Sequence, residues 1–332
     1  AFQATGPDFP LVESPYLHGL LEPHLEAAMY LEVMRGCPHR CGYCYYNRAQ
    51  RGQAVLPLDS AEGALRWAYE RHIPEVTILA PTLNGLPHFG ELLDRVEAIN
   101  RDGRLGLSGE IRGEAIDGVL AERLQAAGCF LLEIGLQSTN PRALALMDRP
   151  TDLPRLVAGI HHLQDRDILP QVDVMVGLPG DDLPHFKATI DFVVEEGLDE
   201  DVRVYPLCVL PNTGFCCRSR ELGLEFVSHP PYTILSTPTF TEEEIEDALA
   251  YSEDRLGLSC HPPPELAIAY PREADDPDRS PLIPIGDEER EALAEAGDPT
   301  SAVRSGIEFV GAGEGPQRPA GQRAAGCSCR WH

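Results

Sequence analysis

The 332-residue sequence is nearly without lysine and contains no long apolar stretch. Lys187 is the one lysine, so 26 of the 27 basic residues are arginine, against 53 acidic residues and a formal net charge of −26. This acidic excess argues against nucleic acid, whose phosphates attract Lys and Arg, and against anionic membrane surfaces. The lack of an apolar run of about 18 residues argues against a membrane-spanning helix. No signal peptide is recognisable, so we expect a cytoplasmic protein.

Cysteine is too sparse for a small disulfide-rich scaffold, but three of the ten cysteines lie close together. They are Cys37, Cys41 and Cys44, with spacings of four and three residues. Thiolates are the usual ligands of iron–sulfur clusters, and such short spacing lets one loop wrap one face of a cubic cluster. Three ligands would leave one iron with an open coordination position, which catalysis needs.

Two other interpretations of this loop stay open on the sequence alone. A structural zinc ion would use His39 as a fourth ligand, although a residue between the first two cysteines would strain the loop to reach it. Cys41 and Cys44 could also form a redox dithiol, which would need no third cysteine. Of the scattered cysteines, we expect Cys129 and Cys208 to be buried as small apolar residues. The sequence assigns no role to the remaining four named here: Cys216, Cys217, Cys327 and Cys329.

Strands and helices alternate through most of the chain, which predicts a parallel sheet with helical crossovers. The predicted strands are 29–34, 75–80, 105–111, 130–136, 171–177 and 202–207. Asp59 followed by Glu62 predicts a capping box at the start of the helix after the cysteine loop. An acidic helix is expected over 241–255.

Six such units could form either an open, doubly wound sheet or an incomplete barrel, and polar residues favour the barrel. Asn84, Glu110 and Gln137 follow or end predicted strands, where β/α barrels carry their chemistry. Glu133 and Asp173 lie inside otherwise apolar strands, and a buried acid needs a partner. The predicted fold class is therefore α/β, a partial (β/α)6 TIM-like barrel.

The predicted domain organisation has four parts. An irregular N-terminal linker covers 1–27 and the barrel covers 28–207. A C-terminal extension, 208–259, is expected to close the barrel. The segment 260–332 is rich in Pro and acidic residues and is expected to be mostly disordered, with one short helix near 287–296.

The motif Cys-x3-Cys-x2-Cys, preceded by Arg35-Gly36 and following a first strand, resembles the signature of the radical SAM superfamily. The resemblance implies a [4Fe–4S] cluster on Cys37, Cys41 and Cys44 that reductively cleaves S-adenosylmethionine. It also implies an external electron donor of the flavodoxin or ferredoxin type. The backbone of the aromatic residue before the last cysteine, here Tyr43, would contact the adenine.

Further residues match the superfamily's S-adenosylmethionine contacts in order along the chain. Thr82, Asn84 and Glu110 would lie at the methionine amino group, and Arg149 at its carboxylate. The ribose would meet Gln137 and Asp173, and the turn containing Leu178 would approach the adenine. Each residue also has a plain structural interpretation: a strand-to-loop turn, a surface charge or a helix cap.

The segments 14–21 and 209–214 resemble the cobalamin-binding branch of the superfamily, in which many members are methyltransferases. Cobalamin is therefore a candidate cofactor, although no cobalamin-binding domain is recognisable in these 332 residues. The expected substrate is a small molecule or a peptide. The alternatives are a cobalamin-independent radical SAM oxidoreductase or modifying enzyme, and an iron–sulfur protein without catalysis.

Overall fold

The computed structural model describes residues 14–21, 29–49 and 53–257. The strands are β1 (Met29–Glu32), β2 (Met34–Arg35), β3 (Ala54–Val55), β4 (Glu75–Leu79), β5 (Gly106–Glu110), β6 (Cys129–Gln137), β7 (Leu169–Val176), β8 (Asp201–Pro206), β9 (Glu225–Phe226) and β10 (Ile234–Ser236). The helices are α1 (Tyr46–Ala49), α2 (Leu58–Glu70), α3 (Phe89–Ile99), α4 (Gly118–Ala127), α5 (Pro141–Leu146), α6 (Leu153–Gln164), α7 (Leu183–Glu195), α8 (Gly214–Cys217), α9 (Ser219–Leu222) and α10 (Glu242–Leu256).

Six of the strands form one parallel sheet in the order β1-β4-β5-β6-β7-β8. All six correspond to predicted strands. Consecutive strands are neighbours throughout, whereas a doubly wound sheet reverses its strand order at a switch point. Within the described ranges β1 and β8 are edge strands of this sheet, so the barrel is incomplete. The predicted partial TIM-like barrel is confirmed.

Successive residues of a strand point to opposite faces, and the two faces of this sheet differ sharply. We call the face packed under the helices the outer face and the opposite one the inner face. Outer-face side chains are apolar and buried: Met29, Leu31, Val76, Ile78, Leu107, Leu132, Ile134, Val172, Val174, Val202 and Val204. Many inner-face side chains are half-buried or exposed: Tyr30, Glu32, Thr77, Leu79, Glu110, Glu133, Arg203 and Tyr205. The hydrophobic core thus lies between the sheet and its helices.

The predicted capping box of α2 is wrong. The helix begins at Leu58, after Pro57, without a side-chain cap. Asp59 and Glu62 both accept hydrogen bonds from Arg95 of α3, at 2.7 and 2.6 Å. The two acidic residues therefore pair neighbouring helices, because a basic partner on α3 competes with the helix N-terminus for them.

The segment after β8 contributes to both the barrel edge and the helical layer. Ile234 of β10 donates its backbone N–H to the carbonyl of Leu207 at 2.8 Å. The predicted acidic helix is present as α10, where Thr241 and Glu244 form a capping box. The Tyr251 hydroxyl of α10 donates to Asp191 of α7 at 2.7 Å. Closure of the barrel by 208–259 stays a prediction.

Several predictions lie outside the described residues. These are most of the linker 1–27, the tail 260–332 with its short helix near 287–296, and Cys327 and Cys329. Among the described residues, the helices are too short or too polar to cross a membrane.

Candidate functional site

The cysteine loop follows β2 and is held between two distant parts of the chain. Gly42 donates its N–H to the Met147 carbonyl at 2.7 Å and accepts from the Phe215 N–H at 2.8 Å. A Cβ at position 42 would lie 2.9 Å from the Phe215 ring, so this close approach requires glycine. The loop is thereby fixed to the segment before Arg149 and to α8.

The three thiols of the loop are sheltered from solvent to different degrees. Cys41 is buried, whereas Cys37 and Cys44 are half-buried, and none is in a disulfide. Burial raises the pKa of Cys37, and it raises the pKa of Cys44 to about 11. Cys37 and Cys44 are therefore protonated at neutral pH, and metal binding would release their protons because the ligand is the thiolate.

The three thiols of the loop do not lie as close together as the ligands of a single metal ion. Four-coordinate zinc at 2.3 Å from sulfur would hold its thiolates about 3.8 Å apart. Asp181, Asp182 and His185 form the one trio of described residues whose ligand atoms lie within 4.8 Å of one another, and the cysteines form no such trio. A cluster with one iron per thiolate accepts wider spacing.

Arg149 lies beside the cysteine loop and is buried, with 7% of the residue exposed. Its Nη1 lies 3.8 Å from Cys41 Sγ, and its Nη2 donates to the Gly135 carbonyl. A Cβ on residue 135 would lie 2.3 Å from Gln137 Nε2 and 2.9 Å from Arg149 Nη2. Glycine at 135 therefore gives Gln137 and Arg149 the room to converge beside the thiols.

A buried polar network fixes the loop that follows β6. Ser138 Oγ donates to Asp181 Oδ2 at 3.1 Å, and Asn140 Nδ2 donates to Asp181 Oδ1 at 3.0 Å. The network ties the ends of β6 and β7 together. Gln137, immediately before it, has a left-handed φ of 68°, a conformation uncommon outside glycine. The tied ends hold this residue in its unusual conformation.

Glu110 ends β5 on the inner face, close to the end of the cysteine loop. The Tyr46 hydroxyl donates to its Oε1 at 3.5 Å. Burial, and next the charge of Glu133, raises the pKa of Glu110 to about 7. Its carboxyl group therefore changes charge near neutral pH and would be stabilised as an anion by a cationic ligand.

Asp173 lies on β7 and is 6% exposed. Burial, followed by the hydrogen bonding and charge of Glu133, raises the pKa of Asp173 well above its ordinary range. Glu133 is the Cα partner of Glu110 across the β5–β6 pair. Three carboxyl groups on three adjacent strands thus share one region of the inner face.

Thr82 and Asn84 lie where predicted, after β4, but their side chains are engaged with the protein. Thr82 Oγ1 donates to Asn84 Oδ1 at 2.9 Å, and Asn84 Nδ2 donates to the Arg112 carbonyl at 2.9 Å. Asn84 Oδ1 also accepts from the Arg112 N–H at 3.2 Å. The pair connects the ends of β4 and β5, and its contact with S-adenosylmethionine stays a prediction.

Leu178 and Tyr43 also pack into the protein. Leu178 is fully buried. Gly177 before it has a φ of 79°, and a Cβ there would lie 2.6 Å from Ile234. The Tyr43 side chain is half-buried against the core, and burial raises its pKa. Adenine contacts at these two residues remain predictions.

The strongest sign of a ligand-binding site is a set of buried polar atoms without partners in the protein. In the described part of the chain they are Ser14 Oγ, Gln137 Oε1, Arg149 Nε and Asp173 Oδ1. An unsatisfied buried polar atom costs about 1–3 kcal/mol, so native proteins rarely keep one without a reason. Three of the four belong to residues predicted to bind S-adenosylmethionine. The residues present therefore fit that ligand.

Two contacts of the site were not predicted from the sequence. The clamp of Phe215 on Gly42 joins segments that are far apart in sequence, and the glycine itself was its only local signal. Tyr46 lies in a run of aromatic residues after Cys44, which suggests packing as readily as a contact to Glu110.

The fold and the thiol loop together define a partial β/α barrel with a three-cysteine loop after its first strand. The family model of the radical SAM superfamily matches residues 31–193. Residues 31–193 therefore form a radical SAM domain, as the cysteine motif predicted. A [4Fe–4S] cluster and S-adenosylmethionine are the cofactors that this superfamily implies.

Two curated relatives modify other macromolecules. One is the tRNA-2-methylthio-N(6)-dimethylallyladenosine synthase of Stutzerimonas stutzeri (strain A1501), 27% identical over 199 residues, covering 58% of this chain and 45% of the relative. The ribosomal protein uS12 methylthiotransferase RimO of Citrobacter koseri is 26% identical over 194 residues, covering 51% of this chain and 42% of the relative. The chain thus spans less than half the length of these relatives.

Solved structures share the fold. The methyltransferase TsrM from Kitasatospora setae, with cobalamin and a [4Fe–4S] cluster bound, superposes with a TM-score of 0.60 at 16% identity. Coproporphyrinogen III oxidase from Escherichia coli gives 0.50 at 18% identity. Each match covers 69% of this chain and 52% of the other. At these identities the likeness supports the architecture alone.

Proposed function

We propose that this chain cleaves S-adenosylmethionine reductively and directs the resulting radical onto a substrate bound at the inner face of the barrel. The observation that carries the proposal is the set of partnerless buried atoms on Gln137, Arg149 and Asp173. Arg149 Nη1 is also 3.8 Å from Cys41 Sγ, so S-adenosylmethionine bound to Arg149 would lie next to the cluster.

Each residue has a definite task in this proposal. Cys37, Cys41 and Cys44 hold the cluster, which when bound supplies the electron that cleaves S-adenosylmethionine. The guanidinium of Arg149 suits the methionine carboxylate, because its planar fork pairs with carboxylates. Glu110 accepts from the methionine amino group, and burial strengthens that charge pairing.

The ribose end of the ligand fits Gln137 and Asp173. Gln137 Oε1 and Asp173 Oδ1 are both acceptors without partners, and ribose hydroxyls are donors. Filling both would remove two unsatisfied buried atoms at once. Tyr43, Thr82, Asn84 and Leu178 complete the predicted contacts.

The finer proposal concerns the fate of the radical. The relatives named above transfer methylthio groups, and the segments 14–21 and 209–214 resemble the cobalamin-associated methyltransferases. Tyr16 of the first segment packs on Trp67 of α2, with ring centroids 5.9 Å apart. The relatives and these segments favour transfer of a methyl-type group, and the formal charge of −26 favours a small molecule or peptide as its acceptor. An external flavodoxin or ferredoxin would supply the electrons.

The test is anaerobic reconstitution with iron and sulfide, followed by S-adenosylmethionine and dithionite. We expect four irons per chain and formation of 5′-deoxyadenosine. Cys41→Ala should abolish both, because a cluster loses a ligand in a buried position. Cys208→Ala is the matched control and should retain both.

Three results would separate the alternatives. Four irons without 5′-deoxyadenosine would favour a non-catalytic iron–sulfur protein, and stoichiometric zinc would favour a structural metal. Incubation with S-adenosylmethionine deuterated in its methyl group, with and without added cobalamin, distinguishes the enzymatic outcomes. Deuterated methyl in the product only with cobalamin supports the cobalamin-dependent methyltransferase.

A further inference from the structure

Arg149, which is assigned to the methionine carboxylate, directly follows the end of α5. This helix ends in a Schellman motif, in which the Asp148 N–H donates to the Ala145 carbonyl at 3.2 Å. The Arg149 N–H donates to the Leu144 carbonyl at 3.1 Å and completes the motif. Asp148 has the left-handed φ of 52° that the motif requires. The helix end therefore fixes the backbone on the N-terminal side of Arg149.

The side chain of Arg112 fixes the backbone on the other side of Arg149. Its Nη2 donates at 2.9 Å to the carbonyl of Pro150, the next residue. The same guanidinium pairs with both carboxylate oxygens of Glu114, through Nε at 3.1 Å and Nη2 at 2.7 Å. The side chains of this ion pair are only 16% and 13% exposed. One guanidinium thus joins the segment after β5 to the backbone that carries Arg149.

The backbone of Arg112 is in turn fixed by the loop after β4. Asn84 Oδ1 accepts from the Arg112 N–H at 3.2 Å, and Asn84 Nδ2 donates to the Arg112 carbonyl at 2.9 Å. Thr82 Oγ1 donates to the same Asn84 oxygen at 2.9 Å. A continuous series of hydrogen bonds therefore runs from the end of β4 through Arg112 to Pro150.

The guanidinium of Arg149 has to be placed accurately if it binds a carboxylate. Such a pair forms through two parallel hydrogen bonds of a planar fork. Arg149 Nε is buried without a partner in the protein, so this donor is available to a ligand. Binding geometry of this kind must be held to within about 0.5 Å, so a shift of the backbone at Arg149 would break one of the two bonds.

We propose that Arg112, paired with Glu114, is a positioning residue for S-adenosylmethionine, which holds the Pro150 carbonyl and so places Arg149 against the methionine carboxylate. The inference rests on the proposed function, since it deepens the cofactor site of that proposal. Arg112 acts through Arg149 and does not itself contact the cofactor. Its removal should therefore weaken binding of the carboxylate and spare the contacts to the amino group and the ribose.

The test compares two ligands, S-adenosylmethionine and its decarboxylated analogue, which lacks only the carboxylate. Anaerobic equilibrium dialysis on the reconstituted full chain gives the ratio of their affinities. The native chain should bind S-adenosylmethionine about tenfold or more tightly than the analogue, because hydrogen bonds to a charged group are the strong ones. The double variant Arg112→Met/Glu114→Gln leaves no buried charge unpaired. It should lower the ratio by about fivefold or more, since residues of one network are coupled.

The matched control lies in the helical layer. Arg123 of α4 also joins a carboxylate to a carbonyl, because its Nη2 donates to Asp94 and to the Gly90 carbonyl, both at 2.6 Å. Arg123→Met/Asp94→Asn removes the same kind of pair and should leave the ratio as it is in the native chain. Arg149→Gln removes the proposed carboxylate contact itself and should lower the ratio at least as far as the double variant at Arg112 and Glu114.

Several outcomes would overturn the inference. A native ratio in the double variant at Arg112 and Glu114 would do so even if both ligands bind more weakly, because a general structural defect acts on both. An equal fall of the ratio in the Arg123 control would also contradict it. A ratio near one in the native chain would show that Arg149 does not bind the carboxylate. If the double variant does not fold, Arg112→Lys carries the test, and a native ratio there contradicts the inference.

Arg112→Lys keeps a positive charge beside Glu114, so the ion pair is retained. The lysine amine ends one bond short of the position of Arg112 Nη2 and lacks the planar fork. It therefore cannot reach Glu114 and the Pro150 carbonyl together, and the ratio should fall in this variant as well.

Failure of the proposed function gives a different pattern. A chain whose ratio falls in the Arg112 variants but which forms no 5′-deoxyadenosine has the cofactor site without the radical chemistry. A chain that forms 5′-deoxyadenosine while the Arg112 variants keep the native ratio has the radical chemistry without this positioning role.

Discussion

The outer and inner faces of the parallel sheet are built from the same strands and carry opposite chemistry. On β6, the outer-face residues Leu132 and Ile134 are fully buried among helices. Glu133 and Gly135 alternate with them and belong to the inner face. Both are half-buried; Glu133 carries a carboxyl group and Gly135 has no side chain. Because side chains alternate along a strand, one segment can stabilise the fold and shape the site at once. Substitutions on the two faces should therefore fail in different ways.

The largest expected effect on stability is on the outer face. Leu132→Ala should lower the free energy of unfolding by about 3 kcal/mol, because a fully buried leucine leaves a cavity. Leu131→Ala, the adjacent and half-buried inner-face residue, should cost only about 1 kcal/mol. Urea unfolding followed by circular dichroism measures both. Equal losses would mean that the two faces are not energetically distinct.

An inner-face change should damage binding while the fold is kept. Gly135→Ala would place a methyl group 2.3 Å from Gln137 Nε2 and 2.9 Å from Arg149 Nη2. We expect affinity for S-adenosylmethionine to fall about tenfold or more, a loss of about 1.4 kcal/mol. Equilibrium dialysis with labelled cofactor measures it.

The matched control is another glycine-to-alanine change. Gly63 lies in α2 with no atom within 4 Å of an added Cβ, so Gly63→Ala should leave binding unaltered. It should also stabilise the chain by about 1 kcal/mol, because alanine favours the helix. Unimpaired binding by Gly135→Ala would show that Gln137 and Arg149 do not hold the cofactor.

The outer face could be predicted from sequence because its apolar residues form a local, periodic pattern along each strand. Runs such as the one around Val172 and Val174 predict buried strands, and all six predicted strands are present. The cysteine loop could also be recognised from the sequence, since its three cysteines lie within a segment of eight residues. The order of the strands and helices and the three cluster ligands could therefore be predicted without knowledge of tertiary contacts.

The support of the site could not be predicted in the same way, because it depends on contacts between distant segments. Arg149 reaches Cys41 across 108 positions of the chain. The network of Ser138 with Asp181 spans 43 positions, and its members look like ordinary loop residues. The false capping box at Asp59 has the same origin, because its competing partner Arg95 is remote in sequence.

Glu110 gives a further way to separate stability from binding, through pH. Burial raises its pKa from 4.5 to about 7, so the folded chain favours the neutral acid. Its contribution to stability is present at low pH and is lost as the pH rises from about 4.5 through 7. Cofactor binding should change oppositely, because the methionine amino group needs the carboxylate. Affinity should weaken by up to about tenfold per pH unit below 7.

Glu110→Gln should flatten both pH profiles, since the amide neither titrates nor repels Glu133. Glu97→Gln should leave both slopes as they are in the native chain, because Glu97 is exposed on α3. Thermal unfolding and dialysis from pH 5.5 to 8 measure the two profiles on the same preparations. Slopes that persist in Glu110→Gln would show that a group other than Glu110 titrates in this range. They would also remove Glu110 from the amino-group contact, because the inner face would then bind the cofactor without its charge.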